Sequence, residues 1–390
     1  MKRIFSWLIL IPVCSLQPVH AQFSFGTKDH VVEISGQLSS FYNYRFQEAG
    51  NSTLDHNRFD LRDAIFQLEG RTRSSLGYEL QFDLADMLQN QGVIRDFENP
   101  GLMDAFVYKG FGFIEFKAGY MKLPYSFQSL VPFFRSPYWQ RAEIARGDFF
   151  SRRDVGFLAH LELFKNRIEI DAGVFNGTGE GALRGRNDAS GAPEFVARTF
   201  FSWPTRYRYQ FFDLVHTPVP MFGLGLNGRY TRRDLPDGEV FPQGTTGEYG
   251  TRMIDGFKTS TSADFSFQFK GFSINAEIHR LLHRPFDTLS YLFQGTPPSF
   301  NEGFFYTGAL VLQTQYFFKS IKTGISARWE DLNINDLAPG STQRLSFALM
   351  WMPRSYSSAL KIQFTRILER EALADIKYPA FIRAGWQWKF

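Results

Sequence analysis

Apolar and polar residues alternate along this chain with a period of two. Between residues 32 and 46 the even positions hold Val32, Ile34, Gly36, Leu38, Ser40, Tyr42, Tyr44 and Phe46, while Glu33, Ser35, Gln37, Ser39, Asn43 and Arg45 take odd ones. Successive side chains of an extended chain point to opposite faces, so this spacing predicts a strand with one apolar face. The pattern returns in Leu76, Tyr78, Leu80, Phe82 and Leu84, in Ile114, Phe116, Ala118 and Tyr120, and in Val155, Phe157, Ala159, Leu161 and Leu163. Further runs start at Ile168, Phe265, Phe272 and Leu360.

The links between these runs alternate in length. Tight ones fall near Arg73-Ser74, Lys109-Gly110, Lys165-Asn166, Lys270-Gly271, Lys319-Ser320 and Pro353-Arg354-Ser355. Long polar ones cover 47–57, 86–101, 124–153, 176–193, 232–258, 283–302, 333–342 and 371–379. Counted in this way the chain makes about sixteen strands, with both termini on the short-turn side, as in an antiparallel transmembrane β-barrel of the outer membrane. The segment from Pro204 to Pro220 breaks the rhythm: it should be a short turn but is long and rich in Arg and aromatics, as a miscounted strand pair would be. A secreted β-sandwich would also show alternation, but gives no reason for links to be short and long in turn. No apolar run is long enough for a spanning helix, and in hydrocarbon only helices and closed barrels satisfy their backbone.

Both ends of the chain support this expectation. Lys2 and Arg3, the apolar run from Ile4 to Leu16, and Val19-His20-Ala21 have the order of a signal peptide, cleaved after Ala21, which leaves 22–390 as the barrel domain. At the other end Ile382, Ala384, Trp386, Trp388 and Phe390 alternate with Arg383, Gln387 and Lys389. A terminal aromatic on an amphipathic strand resembles the signal read by the bacterial barrel assembly machinery, and Trp386 and Trp388 suit an interfacial aromatic girdle.

Composition narrows the chemistry. Phe contributes 44 residues and charged residues only 21%, which excludes a disordered chain. Without Lys2 and Arg3 the balance is 41 basic against 39 acidic residues, so nothing points to nucleic acid. The one cysteine, Cys14, leaves with the signal, and with it disulfide and thiolate-metal chemistry. The remaining histidines are scattered at 30, 56, 160, 216, 279 and 283, and His279 and His283 read as a solvated loop mouth at a strand end. No nucleophile, metal or phosphate-loop motif is present, and no cofactor is required. Polar-face charges such as Lys117, Arg198, Arg229, Arg328, Arg344, Glu115 and Glu162 are expected to line a wet lumen.

The connection 124–153 differs from the other long links. It carries Arg135, Arg141, Arg146, Arg152 and Arg153 against Glu143 and Asp148, and is rich in aromatics from Phe127 to Phe150. A solvated loop has no need of so many aromatics, so this third extracellular loop is expected to fold against the inner wall and narrow the channel. Its arginines would then attract anions. The other reading places them at the outer rim, on lipopolysaccharide phosphates.

The order Asp104-Ala105-Phe106-Val107, Phe116-Lys117-Ala118-Gly119-Tyr120-Met121-Lys122-Leu123-Pro124-Tyr125-Ser126 and Arg152-Arg153-Asp154-Val155-Gly156 is similar to that of the phosphate-selective porin O and P family. Phe175-Asn176-Gly177-Thr178-Gly179, Arg62-x-Ala64 and the terminal Phe390 extend the resemblance. It implies a 16-stranded trimeric porin with an inward-folded third loop, set in outer-membrane lipid. The expected function is passive diffusion of small hydrophilic solutes, anions such as phosphate among them. The alternative is a closed or plugged barrel acting as an enzyme or adhesin, which would need a Ser–His constellation at the rim or one dominant ligand loop.

Overall fold

Sixteen antiparallel strands, each hydrogen-bonded to the next, close on themselves when the last pairs with the first. The computed structural model describes residues 23–27, 29–46, 57–85, 101–145, 150–177, 191–233, 251–253, 256–286, 291–293, 303–334, 336, 340–369 and 379–390. The expected signal segment 1–21 lies outside the described residues. In chain order the barrel strands are β1 (His30–Phe46), β2 (Arg58–Thr72), β3 (Leu76–Asp83), β4 (Leu102–Phe111), β5 (Ile114–Lys122), β6 (Arg153–Leu163), β7 (Ile168–Phe175) and β8 (Glu194–Trp203). They continue as β9 (Met221–Arg233), β10 (Gly256–Phe269), β11 (Phe272–Pro285), β12 (Phe305–Phe318), β13 (Thr323–Asn333), β14 (Thr342–Trp351), β15 (Ser358–Glu369) and β16 (Ala380–Lys389). The expected strand count therefore holds, and Pro204–Pro220 hides no extra strand pair.

Closure runs from Gln37 opposite Lys389 to Phe46 opposite Ala380. Beyond it, the backbone N–H and C=O of Phe390 both bond to Gly36, at 2.9 and 2.8 Å. The Phe390 ring lies where a side chain at Gly36 would be, 2.7 Å from an ideal Cβ, so the close approach requires glycine there. A short strand, Phe23–Gly26, pairs with β1 from Val31 to Ile34 and occupies the edge just past Phe390. Thr251–Met253 and Tyr291–Phe293 pair as a small ribbon in the long links.

The alternation has a physical outcome that β8 makes plain. Phe195, Phe201 and Trp203 are 43–50% exposed, while Val196, Arg198 and Phe200 between them are at most 2% exposed. Exposed Leu, Ile, Phe and Trp recur on the outer face all round the wall, which suits hydrocarbon and not water. Short turns mark one end: Lys270 and Gly271 both take positive φ, 48° and 87°, as a two-residue hairpin needs. The short-turn end, where the last described residue Phe390 also lies, is the periplasmic one.

The lumen is not simply wet. Buried apolar clusters lie on the inner face, where Leu158, Phe175, Val196, Leu281, Val311 and Leu332 of the wall pack with residues of the third long link. Their side chains are reached from within, because the connecting segments touch strands on opposite sides of the closed sheet.

Candidate pore and its constriction

The link between β5 and β6 packs against buried polar residues of the wall strands. It opens with one helical turn, Phe127–Leu130, capped by Ser126, whose Oγ accepts from Ser129 N at 3.3 Å. The same hydroxyl donates to Glu277 Oε2 of β11 at 2.7 Å, and the Gln128 N–H donates to the other carboxylate oxygen. One wall carboxylate thus holds the start of the loop. Gln128 Nε2 reaches Gln313 of β12 at 3.2 Å, and Tyr138 hydrogen-bonds Ser326 of β13 at 2.9 Å. Burial raises the Tyr138 pKa, with Arg328 opposing, so this phenol stays neutral.

Trp139 is the largest of the loop's fully buried side chains. Its backbone N–H donates to Gln363 Oε1 of β15 at 2.6 Å, its indole N–H donates to Lys361 O at 3.4 Å, and its ring packs on Phe41 of β1 at 5.1 Å. Arg62 of β2 donates to its carbonyl at 3.2 Å, and Lys361 Nζ lies 5.1 Å from its ring. Further on, Glu143 accepts from Arg344 of β14, its N–H donates to Glu330 Oε2 of β13 at 2.6 Å, and Arg328 donates to Gln140 O at 3.2 Å. The loop therefore lines the inner wall from β11 round to β2. Its apolar residues, Leu123, Tyr125, Ile144 and Phe150 among them, form the inner core already described.

A second segment meets it from the periplasmic side. Pro204–Pro220, between β8 and β9, crosses the lumen as a strap. Arg206 reaches Glu162 of β6 at 2.9 Å and Glu169 of β7 at 2.8 Å. Tyr209 stacks on Phe127 of the loop at 5.4 Å, and its carbonyl accepts from Arg135 at 3.1 Å. Gln315 of β12 donates to Phe211 O at 2.8 Å, and Phe212 is buried with Phe317, Met350, Met352 and Tyr356.

What remains is the wall from β2 to β7, where polar inner residues keep partial exposure. Lys117 and Glu115 pair at 3.1 Å with side chains 28% and 32% exposed, Glu162 is 29% exposed, and Glu69 and Arg71 are more open still. The other expected lining residues are buried in ion pairs and do not present their charge to this passage. Arg198 binds Asp264 and Asn227, Arg229 grips Glu194 at 2.7 and 2.8 Å, Arg328 pairs with Glu330 at 2.8 Å, and Arg344 pairs with Glu143.

The loop arginines take different places. Arg153 is buried and bidentate to Asp104, at 3.1 and 3.0 Å. Arg141 is buried and donates to the carbonyls of Gln128 and Val131. Burial, then the like charges of Arg152, Arg153 and Arg62, lower its pKa, and Asp63 opposes them. Arg135 and Arg152 keep partial exposure, and Arg146 lies outside the described residues. Arg62, 33% exposed with its guanidinium 4.2 Å over Phe133, joins this basic cluster. Sequence spacing alone did not single it out as a pore residue, since it sits on a strand far from the loop.

His279 and His283 do not form a solvated mouth. Both are buried on the inner face of β11, His279 beside Glu277 at 2.9 Å and His283 stacked on Phe305 at 4.6 Å. Among the described residues no group of three His, Cys, Asp or Glu is placed to hold a metal ion. At the terminal strand, Trp386, Trp388 and Phe390 are 37–43% exposed on the outer face.

A 16-stranded barrel with an apolar outside, short periplasmic turns and a loop folded into its lumen defines the class: a porin-type barrel of the bacterial outer membrane. Residues 32–193 match the family model of the phosphate-selective porins O and P. No curated protein matches the chain. Among solved structures, it is similar to an anion-selective porin from Comamonas acidovorans (TM-score 0.59, 10% identity, 93% of this chain and 100% of that one). It also resembles OmpT of Vibrio cholerae (0.56, 9%, 94% and 100%) and the outer membrane channel DcaP of Acinetobacter baumannii (0.54, 11%, 94% and 99%). At these identities the likeness is one of fold. Family match and fold together point to a channel rather than an enzyme.

Proposed function

We propose that this chain is a diffusion pore for small hydrophilic solutes with a preference for anions such as phosphate. The observation that carries the preference is the basic cluster beside the loop. Arg62, Arg141, Arg152 and Arg153 lie close enough to interact, with Lys122 as a further cation and Asp63, Asp83, Asp104 and Glu79 as the nearby carboxylates. Low-dielectric walls focus such a field, so a small excess of positive charge at a constriction is felt by every passing ion. The partly exposed members, Arg62 and Arg152, face solutes, while Arg141 and Arg153 contribute from behind; Arg135, also partly exposed, adds its charge farther along the loop beside Tyr209. Guanidinium keeps its charge and binds carboxylate or phosphate oxygens in a fork.

The assembly follows the same reading. OmpT of Vibrio cholerae is described in a trimer form, and a homotrimer in outer-membrane lipid suits the broad apolar outer face here. Insertion by the barrel assembly machinery fits the outward Trp386, Trp388 and Phe390, and the exposed Arg58 and Arg232 at the long-link ends of β2 and β9 suit lipopolysaccharide phosphates. Swelling of proteoliposomes tests the pore. Small sugars and organic anions should enter at rates that fall with size, whereas vesicles swelling no faster than protein-free ones would refute the proposal.

A further inference from the structure

We propose that the Pro204–Pro220 strap is a second filter, at the periplasmic exit, and that Arg206 sets its charge. This rests on the diffusion-pore reading and adds to it a residue that neither the loop nor the wall supplies.

The strap is built into the lumen and does not merely hang from the rim. A link between adjacent antiparallel strands needs only two residues, as Lys270-Gly271 shows, yet this one carries Tyr207, Phe211 and Phe212, each at most 1% exposed. The wall is shaped to receive them. A Cβ at Gly324 of β13 would come within 2.4 Å of the Phe212 ring, while one at Gly223 of β9 would meet Phe200 of the wall at 2.6 Å and Tyr207 at 3.3 Å. Wall polar groups also aim at the strap backbone: Gln268 donates to Gln210 O at 3.3 Å, and Phe212 N donates to the Tyr356 hydroxyl at 3.3 Å. Asp213 then turns the chain back. Its carboxylate accepts from Thr217 N, Thr217 Oγ1 and Gly271 N at 2.7 to 2.9 Å, which docks the return limb on the β10–β11 turn.

Thus fixed, the strap presents Arg206 to the wall that the loop leaves open. Its side chain is 48% exposed and bridges Glu162 and Glu169. Asp171 and His160 lie beside these carboxylates, with His160 bonded to Asp171 at 2.7 Å. Removing the Arg206 charge takes away the cation that bridges Glu162 and Glu169, so the exit turns more acidic toward solutes already selected as anions, while exposed Arg208 keeps its own charge on the same strap. Arg206 is therefore a specificity-determining residue, distinct from the arginines of the loop.

Two variants test this in planar bilayers. Shortening the strap by deleting 206–218 should raise single-channel conductance about twofold, because a constriction in series is removed. Arg206→Gln disturbs neither Phe212 nor the loop, and should lower the anion-to-cation permeability ratio by about half. If the shortened barrel does not fold, Arg206→Gln carries the test alone. An unchanged permeability ratio in Arg206→Gln, while Arg62→Gln shifts it, would overturn the exit filter and leave the pore intact. Silence of the folded wild type and all variants would overturn both.

Discussion

Phe127 stacks on Tyr209 with ring centroids 5.4 Å apart. One comes from an extracellular loop and the other from a periplasmic link, so the two invaginations touch inside the barrel and stiffen each other. Val131, Phe200, Tyr207 and Phe211 complete the contact. A polar lumen would not hold two flexible segments in place; an apolar junction does, since each buried aromatic gains from leaving water.

Loop anchoring should therefore depend on its largest buried side chain. Trp139→Ala removes the ring from Phe41 and is expected to cost about 3–5 kcal/mol. The barrel should still form, because its strand pairing is untouched, but single-channel current should become noisy and the loop open to protease. A quiet channel with wild-type protease resistance would show that the hydrogen bonds to Gln363 and Glu277 suffice.

The buried and the partly exposed arginines should separate in their effects. Arg153→Gln leaves Asp104 buried without its bidentate partner and should destabilise the barrel by about 3–5 kcal/mol. The triple replacement Arg62→Gln, Arg135→Gln and Arg152→Gln should cost less stability and shift the reversal potential in a salt gradient toward cations. Equal thermal stability of the two variants would contradict the division.

The C-terminal seam gives a third expectation. Gly36→Val places a side chain where the Phe390 ring sits, and Phe390→Asp puts a charge on the lipid face, where it is costly. Both should lower the folded fraction seen as heat-modifiable migration on gels, and Lys389→Asp should lower it less. Equal folding of all three would remove any special role for Phe390.

Much of this was legible in the sequence, for physical reasons that also explain the rest. Period-two alternation in β1 or β16 reports directly on two faces, and the wealth of aromatics in 124–153 betrays a loop that packs. Ion pairs were not legible: Arg198 and Asp264 lie 66 residues apart, and Arg344 and Glu143 lie 201 apart. Their partners are set by the curvature of a closed sheet, so charges expected to face water proved to be buried struts. The strap was visible as an anomaly of length and composition, but aromatics there fit a strand as well as a plug. Only the inward positions of Phe212 and Arg206 decide between them.

The most direct measurement is planar-bilayer recording from wild-type protein whose folding has been verified by heat-modifiable migration. Discrete, stepwise conductance with a reversal potential on the anion side of a salt gradient is expected. A correctly folded barrel that passes no current, or one whose reversal potential lies on the cation side, would contradict the reading of this chain as an anion-preferring pore.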